Sequence, residues 1–170
     1  VMIMDDDDYF FNNSFELFAN IEFNKISSNN NLAGIFFLRN TIENYKKLKK
    51  IKNFFKKDLI SFRRRFHINH EFAEITKKKV LLLNLYPLYK NERRVPTGSM
   101  WHKISENYSY LFINEFIGFR NHLSGGLSRN IGFHKINSPK SSFYYEYLVF
   151  YSSKNGLFDK IKSLIYMCRF

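Results

Sequence analysis

Cysteine, proline, glycine and acidic residues are all scarce in this chain of 170 residues. Cys168 is the only cysteine, which excludes an internal disulfide framework and a thiolate zinc site. No run of about 18 apolar residues occurs, so we expect no transmembrane helix. The length suits one domain with a sizeable core, or one domain plus an extension.

Basic residues are abundant instead. The chain has 27 Lys and Arg against 15 Asp and Glu, a net charge of +12 and a pI near 9.7. Such an excess predicts a polyanionic partner, either nucleic acid or an anionic membrane surface. Aromatic residues make up 19% of the chain, and Phe, Tyr and Lys all have AT-rich codons, which is typical of an organelle genome. Because Asp5–Asp8 is the opposite of a basic presequence, we expect that a matrix protein would be made inside the organelle or would have lost its presequence.

Residues 1–40 differ in composition from the rest of the chain. They hold the acidic run, which we interpret as exposed, and several asparagines. Five apolar residues could line one face of a helix: Phe10, Phe11, Phe15, Phe18 and Ile21. We interpret residues 1–40 as an N-terminal extension that docks its apolar face, and residues 41–170 as the main domain.

A basic amphipathic helix is predicted to begin at Asn40, with Glu43 closing a capping box. Its apolar stripe has spacings of three and four and consists of Leu48, Ile51, Phe55, Leu59, Phe62 and Phe66. The other face carries many cations between Lys46 and Arg65, and Asp58 is its only acid after Glu43. Because these charges would repel one another without a counter-charge, we favour phosphate contact over a solvated face. Contact with an anionic membrane is the alternative.

The stretch Met100–Phe133 is predicted to be a helix that runs into a basic loop. Ser99 is expected to cap this helix, whose apolar side extends from Met100 to Phe116. Four glycines and no acid lie between residues 117 and 132. A segment of this kind can lay backbone amides and cations along a phosphate.

Two segments are predicted to be strands. Val80–Tyr86 is a short apolar run closed by Pro87, and Phe143–Tyr151 is rich in Phe, Tyr and Val. A terminal helix is expected after the turn, with Leu157, Ile161, Leu164, Ile165 and Cys168 packed on the sheet. The fold class is therefore predicted to be α+β, with a small antiparallel or mixed sheet packed against helices.

No catalytic or cofactor motif is found in the sequence. Walker, dinucleotide, HExxH and GxSxG patterns are all absent. His67 and His70 lie beside Glu71, but without a third ligand we interpret them as surface or RNA-facing residues rather than a metal site. Trp101 is expected in the core. We predict no enzyme activity, no cofactor and no metal.

Several segments, in their order along the chain, resemble the large-subunit ribosomal protein five family, which binds 5S rRNA in the central protuberance. Met100-Trp101 resembles the family's Met-aromatic helix start, and Phe119-Arg120 followed by Leu123-Ser124 is similar to its Phe-Arg-Gly-Leu-Ser turn. The other matching segments are residues 54–60 as first helix, 75–85 as first strand, 147–155 as last strand with its turn, and 157–170 as closing helix.

The resemblance implies a structural rRNA-binding protein in the large subunit of a mitochondrial ribosome. Its partners would be 5S rRNA or its replacement, large-subunit rRNA, and neighbouring ribosomal proteins through residues 1–40. A contact to tRNA or the small subunit stays open, because the stretch between Ser124 and Ser142 is shorter than in the family. The alternative is a peripheral subunit of a membrane-bound respiratory complex. The predicted RNA-binding residues are Lys46, Lys47, Lys49, Lys50, Lys52, Lys56, Lys57, Arg63, Arg64, Arg65, Lys77, Lys78, Arg93, Arg94, Arg120, Arg129 and Lys135.

Overall fold

The computed structural model describes residues 1–2, 8–21, 26, 28–40, 55–66, 72–92, 94–120 and 131–170. The strands are β1 (Asp8–Phe10), β2 (Leu32–Asn40), β3 (Phe55–Lys57), β4 (Phe72–Thr76) and β5 (Ser109–Arg120). The helices are α1 (Ser14–Ala19), α2 (Leu59–Phe66), α3 (Lys78–Leu83), α4 (Gly98–Asn107), α5 (Ile131–Ile136), α6 (Pro139–Tyr151) and α7 (Leu157–Met167). The predicted α+β class, with a mixed sheet packed against helices, is confirmed.

The sheet is built around two parallel central strands, β2 and β5. β4 pairs antiparallel with the other edge of β2, while β1 and β3 pair antiparallel with opposite ends of β5. Gly34 in β2 allows β4 to approach closely, because a Cβ there would lie 1.9 Å from the carbonyl oxygen of Ile75. Both sheet faces are covered, which explains why the central strands are apolar almost throughout.

Alternate residues of the central strands enter two separate cores, as the two-residue period of a strand requires. On one face Phe36, Phe112 and their neighbours pack against α2, α3 and α4. On the other face Phe37 and Ile113 pack against residues of the N-terminal segment, including Phe18. Trp101 is 9% exposed and lies in the first core, as predicted.

The predicted extension contributes directly to the sheet. Residues 32–40 form the central strand β2, and residues 8–10 form β1. The predicted N-terminal helix is limited to Ser14–Ala19. Phe10, Phe18 and Ile21 do dock an apolar face, but they dock it on this chain's own sheet. A boundary at residue 40 would therefore separate β2 from its partners β4 and β5.

The predicted basic helix is interrupted by a strand. Asn40 is the last residue of β2, Phe55–Lys57 is the strand β3, and helix α2 begins at Leu59. Residues 41–54, with Glu43, Leu48 and Ile51, lie outside the described residues. Leu59 and Phe62 are fully buried, so the apolar side of the predicted helix is confirmed within α2.

The helix predicted from Met100 to Phe116 is wrong beyond Asn107. Helix α4 ends there, and Ser109–Arg120 is the strand β5. Since β5 is buried on both faces it lacks polar alternation, and its apolar residues also fit a helical spacing. Ser99 lies buried inside α4, which begins at Gly98, so it is not the cap.

Both predicted strands in the middle and late chain are helices. Val80–Leu83 belongs to α3, and the strand there is the preceding Phe72–Thr76. Phe143–Tyr151 lies within α6, where Ser142, Glu146 and Val149 face inward at helical spacing. Because two of these inward residues are polar, the apolar pattern of the helix could not be recognised.

The terminal helix α7 is confirmed, but its predicted orientation is wrong. Leu157, Ile161, Leu164 and Ile165 are 47–75% exposed, and Cys168 is exposed as well. The inward residue is Ser163, which is 2% exposed. Four segments that carry the ribosomal resemblance, residues 55–57, 75–85, 109–119 and 147–151, thus differ wholly or in part from the secondary structure that the resemblance assigned.

Two carboxylates fix α6 at its ends. Glu92 accepts hydrogen bonds from the backbone N–H groups of Lys140 (2.8 Å) and Ser141 (2.9 Å) in the first turn. Glu106 of α4 accepts from the hydroxyls of Ser152 (2.5 Å) and Ser153 (2.8 Å) at the other end. Burial opposes ionisation of Glu92 and Glu106, but these hydrogen bonds outweigh it and lower the pKa of both carboxyls. The hydrogen bonds to Glu106 hold the end of α6 against α4, where the candidate site lies.

Candidate anion-binding pocket

A cavity of about 420 Å³ lies where α2, α4, α5, α6 and α7 meet. We call it the basic pocket. Four of its lining residues are cations that come from three helices: Arg63, Arg64, Lys135 and Lys162. Two acids, Glu146 and Asp159, also line it. The fold therefore brings together charges that lie up to about a hundred residues apart in the sequence.

The arginines reach the pocket because α2 is anchored by its apolar face. Phe62 is fully buried, so the following residue, Arg63, lies beside the core. The Arg63 guanidinium carbon lies 5.6 Å from the centre of the Phe72 ring, and its Nη2 lies 3.7 Å from Glu74 Oε1. Arg64 is exposed at the rim of the pocket. Arg63 thus forms part of the pocket wall, whereas Arg64 can meet a ligand from solvent.

A buried ion pair forms one wall of the pocket. Glu146 is 3% exposed, and its two oxygens accept hydrogen bonds from Lys135 Nζ (3.1 Å) and Ser163 Oγ (2.9 Å). Lys135 Nζ also lies 5.8 Å from the centre of the Tyr145 ring and 5.1 Å from that of Tyr166. Because Lys135 neutralises Glu146, the buried carboxylate does not repel an anion that enters the pocket.

Lys162 and Tyr166 complete the wall on α7. The Lys162 ammonium lies 5.7 Å from the centre of the Tyr166 ring, and the Arg169 guanidinium lies 5.0 Å from the same ring. Such contacts with the ring face stabilise a cation without adding a negative charge. Lys162 itself is exposed, so its ammonium group is available at the rim.

His102 lies at the inner end of the pocket and is 6% exposed. Its ring meets the Tyr145 ring edge-on, with centroids 5.7 Å apart. Burial lowers the pKa of His102 to about 4; Arg63 lowers it further, while Glu106 and Asp159 oppose the shift. The imidazole is therefore neutral at pH 7 and offers one hydrogen-bond donor and one acceptor.

Two buried nitrogen atoms of the pocket have no hydrogen-bond partner among the described residues. These are His102 Nδ1 and Arg63 Nε. Buried polar groups in folded proteins are nearly always paired, and an unpaired one calls for an explanation such as a ligand. Both atoms belong to residues that line the basic pocket.

A second cavity of about 300 Å³ adjoins the basic pocket and shares Gly98, Lys135 and Tyr145 with it. Arg94 lines this cavity, and its Nη1 is buried without a hydrogen-bond partner in the described part of the chain. Together the two cavities form a concave surface that carries cations at both ends.

The structure brings four predicted RNA-binding residues to these cavities and separates others from them. Arg63, Arg64, Arg94 and Lys135 line the cavities. Five others lie elsewhere on the described chain: Lys56 and Lys57 on β3, Arg65 on α2, and Lys77 and Lys78 at the start of α3. The Lys77 ammonium donates a hydrogen bond to the carbonyl oxygen of Asn29 (2.7 Å). The side chain of Arg120, at the end of β5, is not described, and Lys46, Lys47, Lys49, Lys50, Lys52, Arg93 and Arg129 lie outside the described residues.

His102, Tyr145, Glu146 and Lys162 were not predicted as site residues. One signal could have identified α7. Asp159, Lys162, Ser163 and Tyr166 are spaced by three, one and three residues, so they form a polar stripe on one face of the helix. This polar stripe lines the pocket, and the apolar stripe faces outward. His67, His70 and Glu71, which the sequence predicts to be surface or RNA-facing residues, lie outside the described residues. Among the residues that the structure describes, no group of three or more His, Cys, Asp or Glu could hold a metal ion.

The fold and the pocket define an α+β protein with a basic cavity lined in part by aromatic rings. Comparisons with family models, curated proteins and solved structures found no match to this chain. In the described part of the chain, no helix is both long and apolar enough to cross a membrane.

Proposed function

We propose that this protein is an RNA-binding structural component of the large subunit of a mitochondrial ribosome, and that the basic pocket holds RNA phosphate. One observation carries the proposal. The exposed cations Arg64 and Lys162 lie on one cavity, whose wall also contains Arg63 paired with Glu74 and Lys135 paired with Glu146. In the same wall, Arg63 Nε and His102 Nδ1 have no hydrogen-bond partner among the described residues. Phosphate oxygens are acceptors that arginine and lysine bind well. The net charge of +12 supports a polyanionic partner on the scale of a nucleic acid.

The placement in a ribosome rests on composition and on the ribosomal resemblance. The exposed apolar side chains on α6 and α7 support membership of a larger assembly. Tyr151, Leu157 and Phe158 are 65–78% exposed and follow one another closely in the chain. Apolar surface of this kind commonly contacts another protein. In such an assembly, the pocket would face RNA while the outer side of α7 would face a protein neighbour.

A peripheral subunit of a membrane-bound respiratory complex is the second candidate. The same outer side of α7 favours it, because an exposed apolar helix face can also lie in a lipid headgroup layer. The two candidates differ in what holds the protein in its complex. RNA would be needed in the first case, and lipid or membrane protein in the second.

Sedimentation with and without nuclease separates the two candidates. We expect tagged protein to sediment with large-subunit particles at low salt, and to be released by RNase or by high salt, because phosphate contacts weaken as salt increases. A matched sample would be floated with anionic vesicles. Sedimentation away from ribosomal particles at low salt would contradict the ribosomal assignment, and RNase-insensitive association with membranes would favour the respiratory candidate.

A further inference from the structure

The basic pocket is deeper than phosphate contact alone requires. Its volume of about 420 Å³ falls within the roughly 300–1,000 Å³ typical of pockets that enclose a small organic ligand. A phosphate bound on a flat basic surface leaves its sugar and base in solvent. In this pocket, the space behind the rim is large enough for more of the ligand to enter.

The chemistry of the pocket changes from its rim to its interior. Arg64 and Lys162 are exposed at the rim. Tyr145 and Lys135 are half-buried, and His102 is 6% exposed, with its Nδ1 unpaired among the described residues. The rim therefore suits an anion, whereas the interior offers an aromatic ring and a neutral imidazole.

The imidazole is well suited to a heterocyclic ligand. Burial keeps His102 neutral at pH 7, so it can pair with either a donor or an acceptor on the ligand. Nucleobases carry both kinds of group on their edges and have a flat face that packs against aromatic side chains. A simple inorganic anion would use only the rim.

We propose that the basic pocket binds one unpaired RNA nucleotide, with its phosphate on Arg64 and Lys162 and its base beside Tyr145 and His102. This inference rests on the proposed RNA-binding function and specifies the part of the RNA that is recognised. A base inside a duplex is stacked and cannot reach the interior of the pocket, so the nucleotide must come from a bulge, loop or strand end.

The first measurement compares two RNA hairpins by fluorescence anisotropy, one fully paired and one with a single-nucleotide bulge. We expect the bulged hairpin to bind at least about fivefold more tightly, because packing one base on an aromatic side chain is worth roughly 1–3 kcal/mol. Equal affinity for the two hairpins would overturn the inference but leave RNA binding intact. Failure of both hairpins to bind at low salt would overturn the proposed function itself.

Matched variants test whether tighter binding of the bulged hairpin depends on residues of the basic pocket. Lys162→Ala should weaken binding of the bulged hairpin several-fold, whereas Lys160→Ala, on the same helix but not lining the pocket, should change it by less than twofold. Tyr145→Leu should remove the preference for the bulge, whereas Tyr147→Leu, which is 42% exposed before substitution, should retain it. Equal effects of the two lysine variants would overturn the inference even if Tyr145→Leu does not fold.

Competition with free AMP distinguishes a pocket that binds a nucleotide within RNA from a pocket that binds a soluble nucleotide. We expect AMP to compete with the bulged hairpin only at concentrations far above the dissociation constant of that hairpin, since AMP lacks the flanking phosphates. Displacement of the hairpin by AMP at a comparable concentration would assign the pocket to a soluble nucleotide and overturn the proposal.

Discussion

Phe62→Ala is expected to reduce the free energy of unfolding by about 3–5 kcal/mol, the cost typical of removing a buried phenyl ring. Phe62 is fully buried, and its ring centre lies 5.1 Å from that of Phe36, 5.7 Å from Phe72 and 4.8 Å from Phe112. These three rings come from β2, β4 and β5. Phe62 therefore fixes α2 to all three strands, and its loss leaves a cavity that rigid strands cannot close.

Chemical denaturation of both the wild type and the variant measures this loss. The loss would be a large part of the total stability, which is about 5–15 kcal/mol for most domains. Phe158→Ala is the control, because Phe158 is 78% exposed and should change stability by less than about 0.5 kcal/mol. Equal losses for the two variants would show that α2 does not pack on the sheet as described. Because α2 carries Arg63 and Arg64, Phe62→Ala should also weaken RNA binding.

Stability is expected to fall as the pH is lowered from 7 to 5, chiefly because of His102. Burial holds the pKa of folded His102 at about 4, whereas an unfolded histidine titrates near 6.5. The unfolded chain therefore binds more protons than the folded chain between these values, and stability rises with pH across this interval. The full difference corresponds to about 3 kcal/mol, of which about 2 kcal/mol should already be lost at pH 5.

Denaturation curves at several pH values between 7 and 5 test this expectation. Glu92 and Glu106 have lowered pKa values and lose their contribution mainly at more acidic pH, so these two carboxylates add little to the change between pH 7 and 5. His102→Asn should be less stable than the wild type at pH 7 and should show a flatter pH profile. Parallel profiles for the two proteins would mean that His102 is not buried in its neutral form.

The central strands could not be recognised as strands in the sequence, because they are buried on both faces. β2 and β5 alternate between two apolar cores, so neither strand shows the polar alternation of a half-exposed strand. Ser109–Phe116 therefore fits the spacing of a helix, and Leu32–Asn40 falls within the extension that composition predicts. Helix α2 was recognised within a longer predicted helix because one side of it is apolar and the other is charged.

The site was predicted only in part, because its residues are brought together by contacts between helices that are distant in the sequence. Arg63, Arg64, Arg94 and Lys135 were selected for their charge, and they do reach the two cavities. Their convergence depends on α6, whose inward face includes the buried Glu146. A carboxylate that is buried against lysine and serine cannot be distinguished from a surface carboxylate by sequence alone, because its partner Lys135 lies on another helix.

The salt dependence of RNA binding tests the central claim most directly, which is that the basic pocket holds RNA phosphates. The slope of log K against log salt concentration should become shallower by roughly one to two for the double variant Arg64→Gln and Lys162→Gln, since each lost phosphate contact removes about 0.7–0.9. The control Arg65→Gln and Lys160→Gln removes the same charge from residues that do not line the pocket. We expect a wild-type slope for the control and a shallower slope for the pocket variant. Identical slopes for the two double variants would contradict it.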